Sequence, residues 1–66
     1  MRVRFDQKTD ALYIRLDEAA IIESEEVSPG IVLDFDADNR VVGIEMLNVK
    51  ERLPNASLTQ INFEVA

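Results

Sequence analysis

Apolar and polar residues alternate in short runs along this chain. The clearest pair of runs spans residues 31–47, IVLDFDADNRVVGIEML. Ile31, Leu33 and Phe35 alternate with Val32, Asp34 and Asp36. Val42, Ile44 and Met46 alternate with Val41, Gly43 and Glu45. A period of two marks a half-buried strand. Asp38 and Asn39 lie between the runs, and both residue types tolerate the positive φ of a type I′ turn. A hairpin centred on them sets Phe35 opposite Val42, Leu33 opposite Ile44 and Ile31 opposite Met46. Six apolar side chains then share one face, and Asp34 and Asp36 project from the outer one. A slip of one residue sets Leu33 against Gly43 and Ile31 against Glu45, so the pattern specifies the register.

The same period recurs on both sides. Met1, Val3 and Phe5 alternate with Arg2 and Arg4, and Leu12, Ile14 and Leu16 with Tyr13, Arg15 and Asp17. The polar run DQKTD between them is turn material. The best antiparallel register pairs Phe5 with Leu12, Val3 with Ile14 and Met1 with Leu16. Arg4 then faces Tyr13, within reach of a cation–π contact. Arg2 faces Arg15, a repulsive pair that calls for an acid from the next segment. Residues 18–21 suit a single helical turn. Residues 22–27, IESEEV, suit a solvent-facing edge strand. Ser28, Pro29 and Gly30 signal a turn, because proline presets φ and glycine supplies a positive one. Asn48 is placed to cap a helical turn that Pro54 ends. Ile61, Phe63 and Val65 alternate with Gln60, Asn62 and Glu64 and predict a last strand. The expected fold is one mostly-β domain over residues 1–66: an antiparallel meander of about five or six strands with one or two short helical turns.

Sixty-six residues make a small core that is marginal on its own. The chain has no cysteine and no histidine, so neither a disulfide nor a Cys/His zinc site can brace it. The start, MRVRFDQKTD, has no apolar run of the signal-peptide kind, and no stretch is long enough to span a membrane. These features point to the cytoplasm. Charge is unevenly spread within a net −6. Residues 1–16 carry +2, residues 17–45 hold nine acids against Arg40 alone for −8, and the remainder balances. The acidic middle repels phosphate, which argues against nucleic acid, although Arg2, Arg4, Tyr13 and Arg15 form a basic face with an aromatic on it. It suits a basic protein partner, with Glu23, Glu25 and Glu26 as the candidate contacts.

Catalytic chemistry finds little to work with. Ser24, Ser28 and Ser57 have no histidine base. Gly30 and Gly43 stand alone, so no phosphate loop exists, and no cofactor is implied. Asp34, Asp36, Asp38, Asn39 and Glu45 match the spacing of a calcium-binding EF-hand loop. Against that match, Asn39 stands where the loop needs glycine, and strands rather than helices flank it. The expectation is a non-enzymatic, acidic protein-binding module, with a calcium protein as the alternative.

The run RVRFDQKTDALYIRLDE, the segment EEVSPGIVLDFD and the segment NRVVGIEMLNV together resemble the small prokaryotic family called domain of unknown function 2283, over roughly residues 1–53. Asp6, Asp10 to Tyr13, Pro29 with Gly30, and Gly43 to Glu45 carry the likeness. Asn39 departs from it, since the family usually has glycine there. The resemblance implies no activity and no catalytic residue. It implies occurrence beside small putative toxins, and hence an antitoxin-like role. A homodimer is also expected. The apolar face has too little chain to cover it, and a second copy supplies the missing layer, either face to face or by adding the last strand to the neighbour's sheet edge.

Overall fold

Strands form where the alternation is cleanest. A computed structural model describing residues 1–66 shows β1 (Arg2–Asp6), β2 (Ala11–Arg15), β3 (Glu23–Ser28), β4 (Ile31–Phe35) and β5 (Val41–Met46), then one helical turn, α1 (Val49–Arg52). The strands make one antiparallel sheet in the order β1-β2-β5-β4-β3. Residues 16–22 carry the chain from β2 to the far edge. They are irregular, with a bend at Ala19, so the helical turn expected at residues 18–21 is absent. Arg15 prevents it, because its guanidinium donates to the carbonyls of Asp17 and Ala19 and holds them away from a helical ladder.

The register of β1 and β2 is the expected one, with Phe5 opposite Leu12, Val3 opposite Ile14 and Arg2 opposite Arg15. In the central hairpin Leu33 faces Ile44 and Ile31 faces Met46 as expected, but Phe35 faces Val41 instead of Val42. The turn explains the shift. A type I′ turn needs two residues at positive φ, and only Asn39 (φ 61°) has one in this loop. Asn39 N–H donates to the Asp36 carbonyl at 3.1 Å and Asp36 N–H to the Arg40 carbonyl at 3.0 Å. The loop is therefore one residue longer than two. A bulge between Asp34 and Phe35 absorbs the odd residue, and the apolar alternation restores the register beyond it. At the other hairpin Gly30 takes φ 79°, which a type II turn after proline requires.

Two of the three hairpin turns hold α1, those between β1 and β2 and between β3 and β4. Asn48 is left-handed and its side chain makes no cap. Asp10 caps instead: its carboxylate accepts Lys50 N–H at 3.1 Å and its carbonyl accepts Val49 N–H at 3.1 Å. The Arg52 guanidinium donates to the Leu47 carbonyl at 2.9 Å and to the Pro29 carbonyl in the β3–β4 turn. Val49 is thereby fully buried.

The last strand does not form. Residues 57–66 are irregular and make no backbone–backbone hydrogen bond. A strand must run along an edge to be paired, whereas this tail crosses the sheet face, with Leu58 and Ile61 beside Val3, Phe5, Leu12 and Ile14. The only buried apolar residues are Ala11, Val42 and Val49. The rest of the apolar face stays half-exposed.

A buried carboxylate row and an acidic edge

Pairing across five strands aligns residues in rows. On the polar face one row reads Arg2, Arg15, Gly43, Asp34 and Ser24. The neighbouring row reads Arg4, Tyr13, Glu45, Val32 and Glu26. The opposite face carries Val3, Ile14, Ile44, Leu33 and, at its edge, Glu25.

Asp34 does not project into solvent. It is 8% exposed, and its two oxygens accept separate hydroxyls, Tyr13 Oη at 2.8 Å and Ser24 Oγ at 2.6 Å. Burying a carboxylate is unfavourable unless its oxygens are bonded, and these two bonds supply that. Gly43 makes the arrangement possible. A Cβ there would lie 2.6 Å from both the Tyr13 hydroxyl and Asp34 Oδ2, so only glycine lets Tyr13 reach across β5 to β4. Arg15 Nη1 lies 3.4 Å from the same hydroxyl, and its pKa is raised chiefly by that contact. No buried side-chain polar atom is left without a partner.

The repulsion between Arg2 and Arg15 is relieved as expected, by Glu18. It accepts Arg2 Nε at 2.5 Å and lies 3.7 Å from Arg15 Nε. The Arg2 bond holds the Glu18 carboxyl below its ordinary pKa. The cation–π contact expected between Arg4 and Tyr13 is not made. Lys50 sits over Phe5 instead, 5.9 Å from the ring centroid.

The acids with EF-hand spacing are not gathered into one site. Asp36 is also buried, contrary to its expected outward position. It accepts N–H groups from Arg40 and Asp38 at 2.9 Å each, and Arg40 Nε at 2.9 Å. The Arg40 backbone bond leads in holding its carboxyl below the ordinary range. Asp38 pairs with Arg40 Nη2 at 3.0 Å. Glu45 sits opposite Tyr13 and Val32, a row away from Asp34. No group of three or more acids is gathered closely enough to hold a metal ion.

Glu23, Glu25 and Glu26 all lie on β3, where every residue is exposed. They do not form one cluster. Glu23 and Glu25 pair with Phe35 and Leu33 and flank the apolar face, whereas Glu26 pairs with Val32 on the polar face. None of the three forms a salt bridge. β3 ends the sheet, so its outer backbone groups are unpaired by any strand. The sequence signalled this edge by its acids. It signalled the Tyr13–Asp34–Ser24 row only through Gly43, a glycine inside a strand pattern, which marks a bulge or a close approach.

No helix is long and apolar enough to cross a membrane. No curated protein and no solved structure matches the chain. A family model does, that of the Protein of unknown function (DUF2283), over residues 2–50, which takes in the whole sheet and the start of α1. The chain belongs to that family.

Proposed function

We propose that this chain is a non-enzymatic, cytoplasmic protein-binding module whose edge strand β3 docks a basic polypeptide. The observation that carries the reading is β3 itself, which combines three exposed acids free of salt bridges with an unpaired strand edge. An extended segment adding to that edge gains main-chain hydrogen bonds. Alternate lysines or arginines on it meet Glu23 and Glu25 on one face of the sheet or, with the segment turned over, Glu26 on the other. An antitoxin-like role toward a small basic toxin is the biological form that fits such a surface. The central polar row supports binding rather than catalysis, because Tyr13 and Ser24 commit their hydroxyl protons to Asp34.

A labelled peptide of alternating lysine and valine is the direct probe. Binding measured by fluorescence anisotropy is expected at low salt, to weaken as salt rises, and to fall at least tenfold when Glu23, Glu25 and Glu26 are all changed to Gln. No binding at low salt, or binding indifferent to both salt and the substitutions, rejects the reading.

A further inference from the structure

The C-terminal tail and the β1–β2 face are each incomplete in a complementary way. Ile61, Phe63 and Val65 keep the strict alternation of a strand, yet they are 64%, 74% and 85% exposed. Their backbone bonds to nothing in the chain. At Ile61 the tail borders an open apolar groove of about 610 Å³, lined by Val3, Phe5, Leu12 and Ile14 of the sheet and by Leu58 and Ile61 of the tail. Val3 is among the exposed large apolar residues, and β1 is a free sheet edge. The tail thus enters the groove at Leu58, which is half-buried, and runs past Ile61 at its rim with Phe63 and Val65 unplaced. Charge also matches, since Lys50 lies over Phe5 at the groove and Glu64 is the only charged residue beyond Arg52.

We propose that two copies of the chain exchange residues 61–65 reciprocally, each tail lying over the other copy's β1–β2 face. Every copy carries one donor segment and one acceptor groove, so the exchange closes on itself with two-fold symmetry and leaves no open end. Ile61, Phe63 and Val65 leave water together, and Val3, Phe5, Leu12 and Ile14 gain the second layer that a half-covered sheet face lacks. The tail lies beyond the span matched by the family model, so this contact belongs to the part of the chain that the family match does not cover. It is independent of β3, which lies at the opposite edge of the sheet.

Light scattering at micromolar concentration is expected to give twice the 7.5 kDa chain mass. Phe63→Asp is expected to raise the dimer dissociation constant at least tenfold and leave the far-ultraviolet circular dichroism unchanged. The absence of cysteine permits a second test. Mild oxidation of the double variant Val3→Cys, Val65→Cys is expected to give covalent dimers. A monomeric full-length chain, a dimer indifferent to Phe63→Asp, or a disulfide closed within one chain overturns the exchange. Glu23→Gln, Glu25→Gln and Glu26→Gln together leave the dimer intact, so failure of the edge reading and failure of the exchange are separately visible.

Discussion

Gly43 is the residue on which the polar face turns. Its missing Cβ is the space through which Tyr13 reaches Asp34. Gly43→Ala is expected to cost roughly 1–3 kcal/mol in urea unfolding, the usual range for forcing an extra methyl into a filled site. Tyr13→Phe removes one hydrogen bond to a buried carboxylate and is expected to cost about 1.5–3 kcal/mol. The double variant should cost less than the sum, because the added methyl no longer meets a hydroxyl. Strict additivity would mean that the two residues do not share the space. Asp36 governs a different property. Its folded carboxyl titrates below the ordinary range, so the unfolded chain takes up the proton first. Its contribution is complete above the ordinary carboxylate range and is lost as pH falls through the lowered folded value. Melting temperature followed from neutrality down to about pH 2 should therefore fall less steeply in Asp36→Asn than in the parent. Glu18, also lowered, acts the same way in both proteins, and salt screens its exposed pair with Arg2.

At the scale of elements, α1 tests how far four residues can be held by their surroundings. A helix of one turn has no stability of its own. Asp10, forty residues away in sequence, supplies the cap that Asn48 does not. Asp10→Ala is expected to cost about 0.5–2 kcal/mol, and Asp10→Asn less, since asparagine keeps an acceptor and tolerates the left-handed backbone. Equal loss in both variants would show that the charge rather than the cap matters. This contact also marks where sequence reading stops. Strand positions and most pairings within the hairpins were legible because a one-residue slip would have exposed a whole apolar row, whereas the pairing of β2 with β5, which departs from a simple meander, was not. The Asp10 cap was not legible, because nothing local to Asn48 refers to the first hairpin. The three-residue loop was not legible either, because Asp38 and Asn39 suit both turn lengths and only Asn39 takes positive φ. Asp34 and Asp36 were assigned to solvent by alternation alone. That rule fails where a hydroxyl or a guanidinium from another strand or loop position follows the carboxylate inward. Residues 60–65 have the pattern of a strand, but the tail crosses the sheet face instead of running along a free edge, and pattern alone does not set that path.

At the scale of the molecule, the sheet has two unlike faces and two unlike edges. One face is closed by polar bonds through Asp34. The other is half-covered by α1 and the tail. One edge, β1, borders the apolar groove. The other, β3, is acidic on both faces and free along its backbone. Edge strands are commonly protected from chance association by charge, and that role alone needs no partner. The functional account goes further, since it requires a basic segment to add to β3 as a sixth strand. Amide hydrogen exchange in the presence of the alternating lysine–valine peptide decides between them. The account predicts that β3 amides not bonded to β4 exchange freely in the protein alone and become protected at low salt when the peptide is bound, while β1 amides do not change. Protection that is absent from β3, or that appears equally on β1, would contradict it.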